Sequence, residues 1–461
     1  MKSLQKIKNV YFLGIGGIGM SALARYFKHS GRNVAGYDRT PTALTEALQS
    51  EGIDVHFEDD IRYIPSKWNP VETLAVYTPA LPEDHKQLNW CKEKPIWLMK
   101  RAKVLGMVCN ERNCVAVSGT HGKTTVSTMT ATILSNSKDG CGAFLGGISK
   151  NFGSNLLLPP ENSPWIVAEA DEYDRSFLHL KPQMALVTSI DADHLDIYGD
   201  KEKITESFEK FISQIKDGGI LVVKKGVDLD LSKTQAEVFS YALKEKADFN
   251  TINLHLSSAG GYYSFDLKTP DGIIAHCKLN YPGQVNVENA VAASALAFLA
   301  GASADEIKLG LENYQGVLRR FEVKFKNEKH IYIDDYAHHP AELNAVISSV
   351  KALYPNRKLT GIFQPHLYSR TRDFATEFAA SLDLLDEAVL VPLYPAREEP
   401  IKGVSSELIF EKMKNENKFL AEKSEVPELL RNRETDVVLT MGAGDIDGIG
   451  GQIIEVLKNK H

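Results

Sequence analysis

Cysteine is scarce in this chain of 461 residues, and the five present, at positions 91, 109, 114, 141 and 277, are odd in number and lack C-x-x-C spacing. Neither a disulfide framework nor a zinc site is indicated. No apolar run reaches the 18 residues of a membrane span, and the N-terminal stretch MKSLQKIKNVYFLGIGG breaks into glycines before it could act as a signal peptide. A cytoplasmic protein is the simplest expectation. Also missing is any long block of one charge sign: 53 basic residues stand against 60 acidic ones, a net charge of −7. That leaves no electrostatic footprint for nucleic acid or an anionic membrane. What remains is the composition of an ordinary globular protein, 43% hydrophobic and 25% charged, long enough for more than one core.

What the chain does contain is glycine in two informative loops. The stretch VAVSGTHGKTTVST at 115–128 reads as an apolar strand, a turn through Gly119 and Gly122, and a helix opened by Lys123, Thr124 and Thr125. Such a junction aims backbone N–H groups at one point, where the helix dipole also favours an anion. Lys123 adds a mobile charge for β- and γ-phosphates, and the hydroxyl of Thr124 suits a Mg²⁺ ligand. The first glycine of the full G-x-x-x-x-G-K-[ST] pattern would fall at 117, which is valine, so the loop is a G-x-x-G-K-T-T variant.

The earlier loop, GIGGIG, sets Gly14, Gly16 and Gly19 in G-x-G-x-x-G spacing between a strand over 10–13 and a helix over 20–29. A second strand, over 34–37, ends in Asp38, where a ribose-binding acid would sit. An NAD(P)-dependent oxidoreductase is the obvious reading. A UDP-sugar also carries a diphosphate, and the glycines alone leave both open.

Strands over 165–168 and 184–188 each run into acids, EADEYD at 169–174 and DADHLD at 191–196. Ligands of parallel sheets collect at these carboxyl ends, and acids beside a phosphate loop point to Mg²⁺, which favours hard oxygen donors. Glu169 and His194 are the candidates, with Asp171, Asp174 and Asp196 read as structural or supporting groups. An amphipathic helix is expected over 203–215, and alternation over 249–279 predicts appended hairpins. A helix over 286–300 then places Asn286 and Asn289 on one face. The first suits a helix cap, and the second an adenine edge.

From about 316 a third α/β alternation begins, with strands over 331–333, 359–363, 388–391 and 437–441. Helices are expected over 341–352, 373–382, 405–414 and 446–457. Polar clusters again fall at strand ends: DDYAHHP at 334–340, QPH at 364–366 and GAGD at 442–445. Arg319, Arg320, Arg370 and Arg372 are candidates for planar recognition of phosphate or carboxylate.

Taken together, the ordered segments GIGGIGMSALA (14–24), GTHGKTT (119–125), AEADEYDRSF (168–177), DADHLDIYGD (191–200), NVENAVAA (286–293), LRRFE (318–322), DDYAHHPAE (334–342) and FQPHLYSRTRDF (363–374) resemble the Mur ligase family. The resemblance spans essentially the whole chain. It implies an α/β fold of three domains: a Rossmann-like UDP-substrate domain (1–110), a P-loop ATPase-like central domain (111–316) and a Rossmann-like amino-acid domain (317–461). It further implies ATP-dependent amide-bond formation through an acyl phosphate, with Mg²⁺. The short first glycine loop and the 334–340 and 363–371 segments look most like members that join L-alanine to UDP-N-acetylmuramate. Members that attach an intact tripeptide are the nearest alternative.

By the same resemblance, Gly119, Thr120, His121, Gly122, Lys123, Thr124 and Thr125 would bind ATP. Asn286 and Asn289 would read its adenine, Arg320 its phosphates and Asp335 its ribose. Thr124 and Glu169 would hold one Mg²⁺ and His194 a second. Lys123, His194 and Arg320 would carry the catalytic charge. Gly14, Gly16, Gly17, Ile18, Gly19 and Asp38 would take the UDP-substrate, and His366 and Arg370 the alanine carboxylate. Two positions depart from patterns found in parts of the family: Val285, where a His often precedes the first Asn, and Leu367, where some members carry Arg after the QPH.

Overall fold

The computed structural model of the chain describes residues 4–191, 198, 200–257, 261–396 and 398–460. It is a mixed α/β structure in two compact units, one of Met1–Ile252, Asp266–Cys277 and Asn289–Tyr314, the other of Asn253–Phe265, Lys278–Glu288 and Gln315–His461.

The first unit carries two sheets. Strands β1 (Asn9–Leu13), β2 (Asn33–Tyr37), β3 (Asp54–His56), β4 (Thr73–Tyr77) and β5 (Trp97–Lys100) lie in the order β3-β2-β1-β4-β5, all parallel. The chain builds outward from β1 in both directions, so a crevice opens at its carboxyl end. All five residues of β1 are buried, as expected of a strand covered on both faces. The loop after β1 leads into α1 (Ile18–His29), and α2 (Arg101–Cys109) follows β5 directly.

The second sheet comprises β6 (Asn113–Ser118), β7 (Gly142–Ser149), β8 (Ser154–Leu157), β9 (Trp165–Glu169), β10 (Met184–Val187), β11 (Ile220–Lys224) and β12 (Glu237–Tyr241), ordered β12-β11-β10-β6-β9-β7-β8. Only the β7–β8 pair is antiparallel. Strand β6 is central, and α3 (Lys123–Ser135) springs from it with every residue from Thr124 to Leu134 buried. A helix buried all round needs no apolar stripe, which is why KTTVSTMTATILS lacks one. Two of its buried hydroxyls bond back along the helix: Thr128 donates to the Thr124 carbonyl at 2.7 Å, and Thr132 to that of Thr128 at 2.8 Å. The two sheets of this unit are tied through Asn155 on β8. Its amide donates to the Ile18 carbonyl and to Ser21 Oγ (2.9 Å) on α1, and its oxygen accepts from Arg25, which also pairs with Glu51.

Strands β13 (Asn250–Ser257), β14 (Tyr262–Thr269) and β15 (Gly272–Leu279) form a small sheet in sequential order, and α4 (Gln284–Leu299) follows. The large sheet of the second unit has β16 (Glu322–Lys326), β17 (Ile331–Asp335), β18 (Leu359–Phe363), β19 (Glu387–Leu390), β20 (Lys418–Leu420) and β21 (Val437–Met441), ordered β16-β17-β21-β18-β19-β20. Only the edge strand β16 runs antiparallel to its neighbour. Helix α5 (Pro340–Leu353) follows β17. The helix expected over 373–382 is instead two, α6 (Tyr368–Asp373) and α7 (Ala375–Leu382), broken where Phe374 takes φ −118°, ψ 20°. The helix expected over 405–414 is confined to Ser406–Phe410, and that over 446–457 starts as a 3₁₀ turn, Ile446–Ile449, before Gly450–Asn459.

Candidate functional site

In the first unit, parallel pairing of β6 with β10 and β9 brings the ends of these three strands together. The register sets Ser118 opposite Val187, and Val117 opposite Glu169. The loop 119–122 thus leaves the sheet between two acid-bearing strand ends. Gly119 (φ +126°) and Gly122 (φ +83°) adopt backbone that L side chains rarely take. A Cβ on Gly119 would also collide with Thr188 and fall 2.9 Å from the backbone nitrogen of Ser189. The segment after β10 straps the loop in place: Thr120 N donates to the Ser189 carbonyl (3.0 Å), His121 N to Ser189 Oγ (3.1 Å) and Asp191 N to Thr120 Oγ1 (3.1 Å). His121 Nε2 lies 3.3 Å from Asp191. Asn289 belongs to the same unit, and a Cβ on Gly122 would fall 2.9 Å from its Oδ1, so its side chain flanks the turn.

Lys123 opens α3, and its ammonium lies 2.7 Å from the Gly119 carbonyl, 3.4 Å from that of Thr120 and 2.9 Å from both carboxylate oxygens of Glu172. Burial by itself would lower the lysine. The charges of Glu172, Asp171 and Glu169 outweigh it and hold the ammonium above the ordinary lysine value. Glu172 is 1% exposed, and burial pushes its carboxyl up against the pull of Lys123. Its backbone carbonyl accepts from the Tyr198 hydroxyl at 2.6 Å and from Arg175 N at 2.9 Å. Glu172 is the residue that the sequence reading passed over. Its only signal was membership of an acid-rich segment, and its partner is 49 positions away.

Glu169 ends β9 beside the loop, and its Oε2 accepts from Gly146 N at 3.1 Å. A carboxylate at this strand end and the Thr124 hydroxyl at the helix head are hard oxygen donors of the kind Mg²⁺ takes alongside phosphate. Among the described residues no group of three or more His, Cys, Asp or Glu side chains makes a metal cage. Asp171 lies 3.8 Å from Arg101 and Asp174 3.2 Å from Lys100, in keeping with supporting roles. His194, with Asp193 and Asp196, lies outside the described residues.

The first glycine loop is held by its own acid. Asp38 at the end of β2 accepts from Gly16 N (2.7 Å) and Thr40 N (3.2 Å), and Gly17 caps α1 with no side-chain bond. The helix N-terminus at Ile18 and Gly19 follows directly, the geometry a diphosphate uses.

In the second unit, the polar clusters after β17, β18 and β21 all sit at carboxyl ends of parallel strands. Asp335 is buried and accepts from Phe321 N (2.6 Å) and Ala337 N (2.7 Å). Burial pushes its carboxyl up to about 6, against the opposing charge of Arg320. The guanidinium groups of Arg319 and Arg320 lie 5.0 and 5.1 Å from the ring of Tyr336, within cation–π range. Arg319 donates to the Gly442 and Gly444 carbonyls, so it braces the loop after β21.

His366 stacks on Tyr394 (5.8 Å) and meets His338 edge-on (5.9 Å). Burial takes His338 down to about 4, with Arg370 adding to that effect. Arg370 is a buried residue of α6, while Arg372 pairs with Asp373 at 2.7 Å on the surface. Leu367 sits between them and His366 at φ +71°. Asn286 lies inside the first turn of α4 and not at its cap, and its amide nitrogen donates back to the Pro282 carbonyl at 2.5 Å.

Comparison with known proteins finds three family profiles in order along the chain: "Mur ligase family, catalytic domain" at 9–113, "Mur ligase middle domain" at 117–297 and "Mur ligase, glutamate ligase domain" at 319–444. The chain is 48% identical over 457 residues to the UDP-N-acetylmuramate–L-alanine ligase of Phocaeicola vulgatus, which covers 98% of this chain and 99% of that protein. It is 47% identical to the protein of the same name from Christiangramia forsetii, over 99% and 98%. The crystal structure of UDP-N-acetylmuramate-alanine ligase from Thermotoga maritima superposes with a TM-score of 0.83 at 26% identity, over 98% of this chain and 100% of that one. A murein peptide ligase from Psychrobacter arcticus shares the fold, with a TM-score of 0.72 at 21% identity over 98% and 99%.

Proposed function

The chain belongs to the Mur ligase family, and from that premise we propose that it joins L-alanine to UDP-N-acetylmuramate at the expense of ATP, in cytoplasmic synthesis of the peptidoglycan precursor. The observation that carries the reading is Lys123: a part-buried ammonium on a glycine turn at the head of α3, in a chain that spans full-length relatives bearing that ligase name. We assign 1–110 to the UDP-substrate, 111–316 to ATP and 317–461 to the amino acid.

The reaction brings a carboxylate up to a triphosphate, two anions, so positive charge is needed where the phosphoryl group moves. Backbone N–H groups at the head of α3 cradle the phosphates, those of Thr120 and His121 being engaged by Ser189, and Lys123 neutralises the β- and γ-oxygens. Thr124 and Glu169 hold Mg²⁺, with His194 at a second ion, and the metal supplies further charge neutralisation. Asn286 and Asn289 read adenine, Asp335 the ribose, and Arg320 adds a cation to the phosphates. The lactyl carboxylate attacks the γ-phosphorus and ADP leaves. The alanine amine then attacks the acyl phosphate, and the tetrahedral adduct collapses to amide and phosphate. His366 and Arg370 orient the alanine carboxylate, while residues 14–19 hold the UDP diphosphate.

Phosphate release measured with UDP-N-acetylmuramate, ATP and Mg²⁺ is the test. L-Alanine is expected to support turnover, and faster turnover with an intact tripeptide would overturn the assignment. Lys123→Ala is expected to lower ligation about a thousandfold with the fold retained.

A further inference from the structure

The ammonium of Lys123 has three donors, and the structure already occupies them. Two loop carbonyls, of Gly119 and Thr120, and the carboxylate of Glu172 surround it. A phosphate oxygen can therefore reach Lys123 only by taking a donor from one of these partners. The carbonyls are neutral and belong to the loop itself. Glu172 is the charged partner, contacts the ammonium with both oxygens at 2.9 Å and is 1% exposed. Nor is it on a loose tether, because its own carbonyl is fixed by Tyr198 and Arg175 N, and the Arg175 guanidinium covers the Tyr198 ring at 5.0 Å.

We propose that Glu172 is a resident counter-ion that the phosphate chain of the incoming nucleotide must displace from Lys123, a positioning residue that makes phosphate binding depend on an accompanying cation. The inference rests on reading 119–125 as the nucleotide loop. A bare phosphate chain arriving beside Glu172 adds like charge in a buried place and separates a buried ion pair, both of which are unfavourable. Phosphates that arrive with Mg²⁺ bring compensating positive charge, and Glu172 opposes them less. The acid thus holds Lys123 aligned while the site is empty and weakens the grip on metal-free nucleotide.

Calorimetric titration of the full chain with ADP, inorganic pyrophosphate and adenosine, each in EDTA and in Mg²⁺, tests this for wild type and Glu172→Gln. In EDTA the Gln variant is expected to bind ADP and pyrophosphate about tenfold more tightly, with a smaller gain in Mg²⁺ and adenosine unchanged. Unchanged or weaker ADP binding with normal adenosine binding would overturn the proposal, as would an equal gain with and without Mg²⁺. Glu172→Asp keeps the charge but withdraws it by one carbon. If the Gln variant fails to fold, the Asp variant is expected to gain in the same direction by about threefold in EDTA, and no gain overturns the proposal. Failure of wild type to bind ADP or pyrophosphate under either condition would instead remove the nucleotide reading itself, and the proposal with it.

Discussion

Gly146 on β7 stands directly over Glu169 at the end of β9: its N–H donates to Oε2 at 3.1 Å, and any Cβ at that position would overlap the carboxylate. Gly146→Ala is therefore expected to push the Glu169 side chain out of place while leaving the sheet paired. If Glu169 holds Mg²⁺, the Mg²⁺ concentration for half-maximal ligation should rise about tenfold, with the KM for L-alanine unchanged. An unaltered Mg²⁺ dependence would take Glu169 out of that role.

Asp38 anchors the first glycine loop through Gly16 N and Thr40 N. Asp38→Asn keeps the size but replaces one acceptor with a donor facing an N–H. The loss of a charge-assisted bond is worth about 1.5–3 kcal/mol, so the KM for UDP-N-acetylmuramate is expected to rise by about tenfold to a hundredfold. Steady-state kinetics with the other two substrates saturating checks this, and a change confined to the KM for ATP would contradict it.

Asp335 and His338 set opposite pH slopes in the second unit. Asp335 is raised to about 6 from its ordinary 3.8, so its contribution to stability is complete below 3.8 and lost as pH rises through 6. His338 is lowered to about 4 from 6.5, so its contribution is complete above 6.5 and lost as pH falls through 4. Between these values the two trends offset each other. His338→Gln should expose a stability that falls as pH rises, and Asp335→Asn one that falls as pH drops, each by up to about 1.4 kcal/mol per pH unit. Calorimetric unfolding across that window measures both, and parallel profiles for wild type and the two variants would refute the pairing.

Asn155 reaches from β8 to the first turn of α1, where it bonds Ile18, Ser21 and Arg25 and is fully buried. Asn155→Leu removes these bonds inside the first unit, although Ser21 Oγ still donates to the Ile18 carbonyl and Arg25 still pairs with Glu51. A loss of about 2–4 kcal/mol is expected, read as a lower urea midpoint, and Asn155→Asp should be milder because it still accepts from Arg25.

Much of this architecture could be read from residues alone, because its strands are compact apolar runs punctuated by glycine loops. The two glycine turns, Lys123 at a helix start and Glu169 at a strand end all fall where their local patterns placed them. Pairings across long separations could not be read. Nothing local distinguishes Glu172 from its neighbours Asp171 and Asp174, and only the folded chain brings that one carboxylate to Lys123, 49 positions away. Asp334 and Asp335 are likewise identical in sequence terms. Strand alternation sends the first to Thr440 and Arg319, and the second to the backbone of Phe321 and Ala337. Short edge strands such as β3 and β20, three residues each, carry too few side chains to show a period.

The obstruction around Gly119 comes from backbone as well as side chain, since the amide nitrogens of Thr188 and Ser189 both stand within 3 Å of where a Cβ would be. Trimming Thr188 to a smaller residue would not make room, so no single compensating substitution restores space for a side chain at 119. An inhibitor that hydrogen-bonds the main chain of this turn would meet a surface that the protein has no one-step route to remodel. Escape would have to arise elsewhere, at residues that touch the compound through side chains.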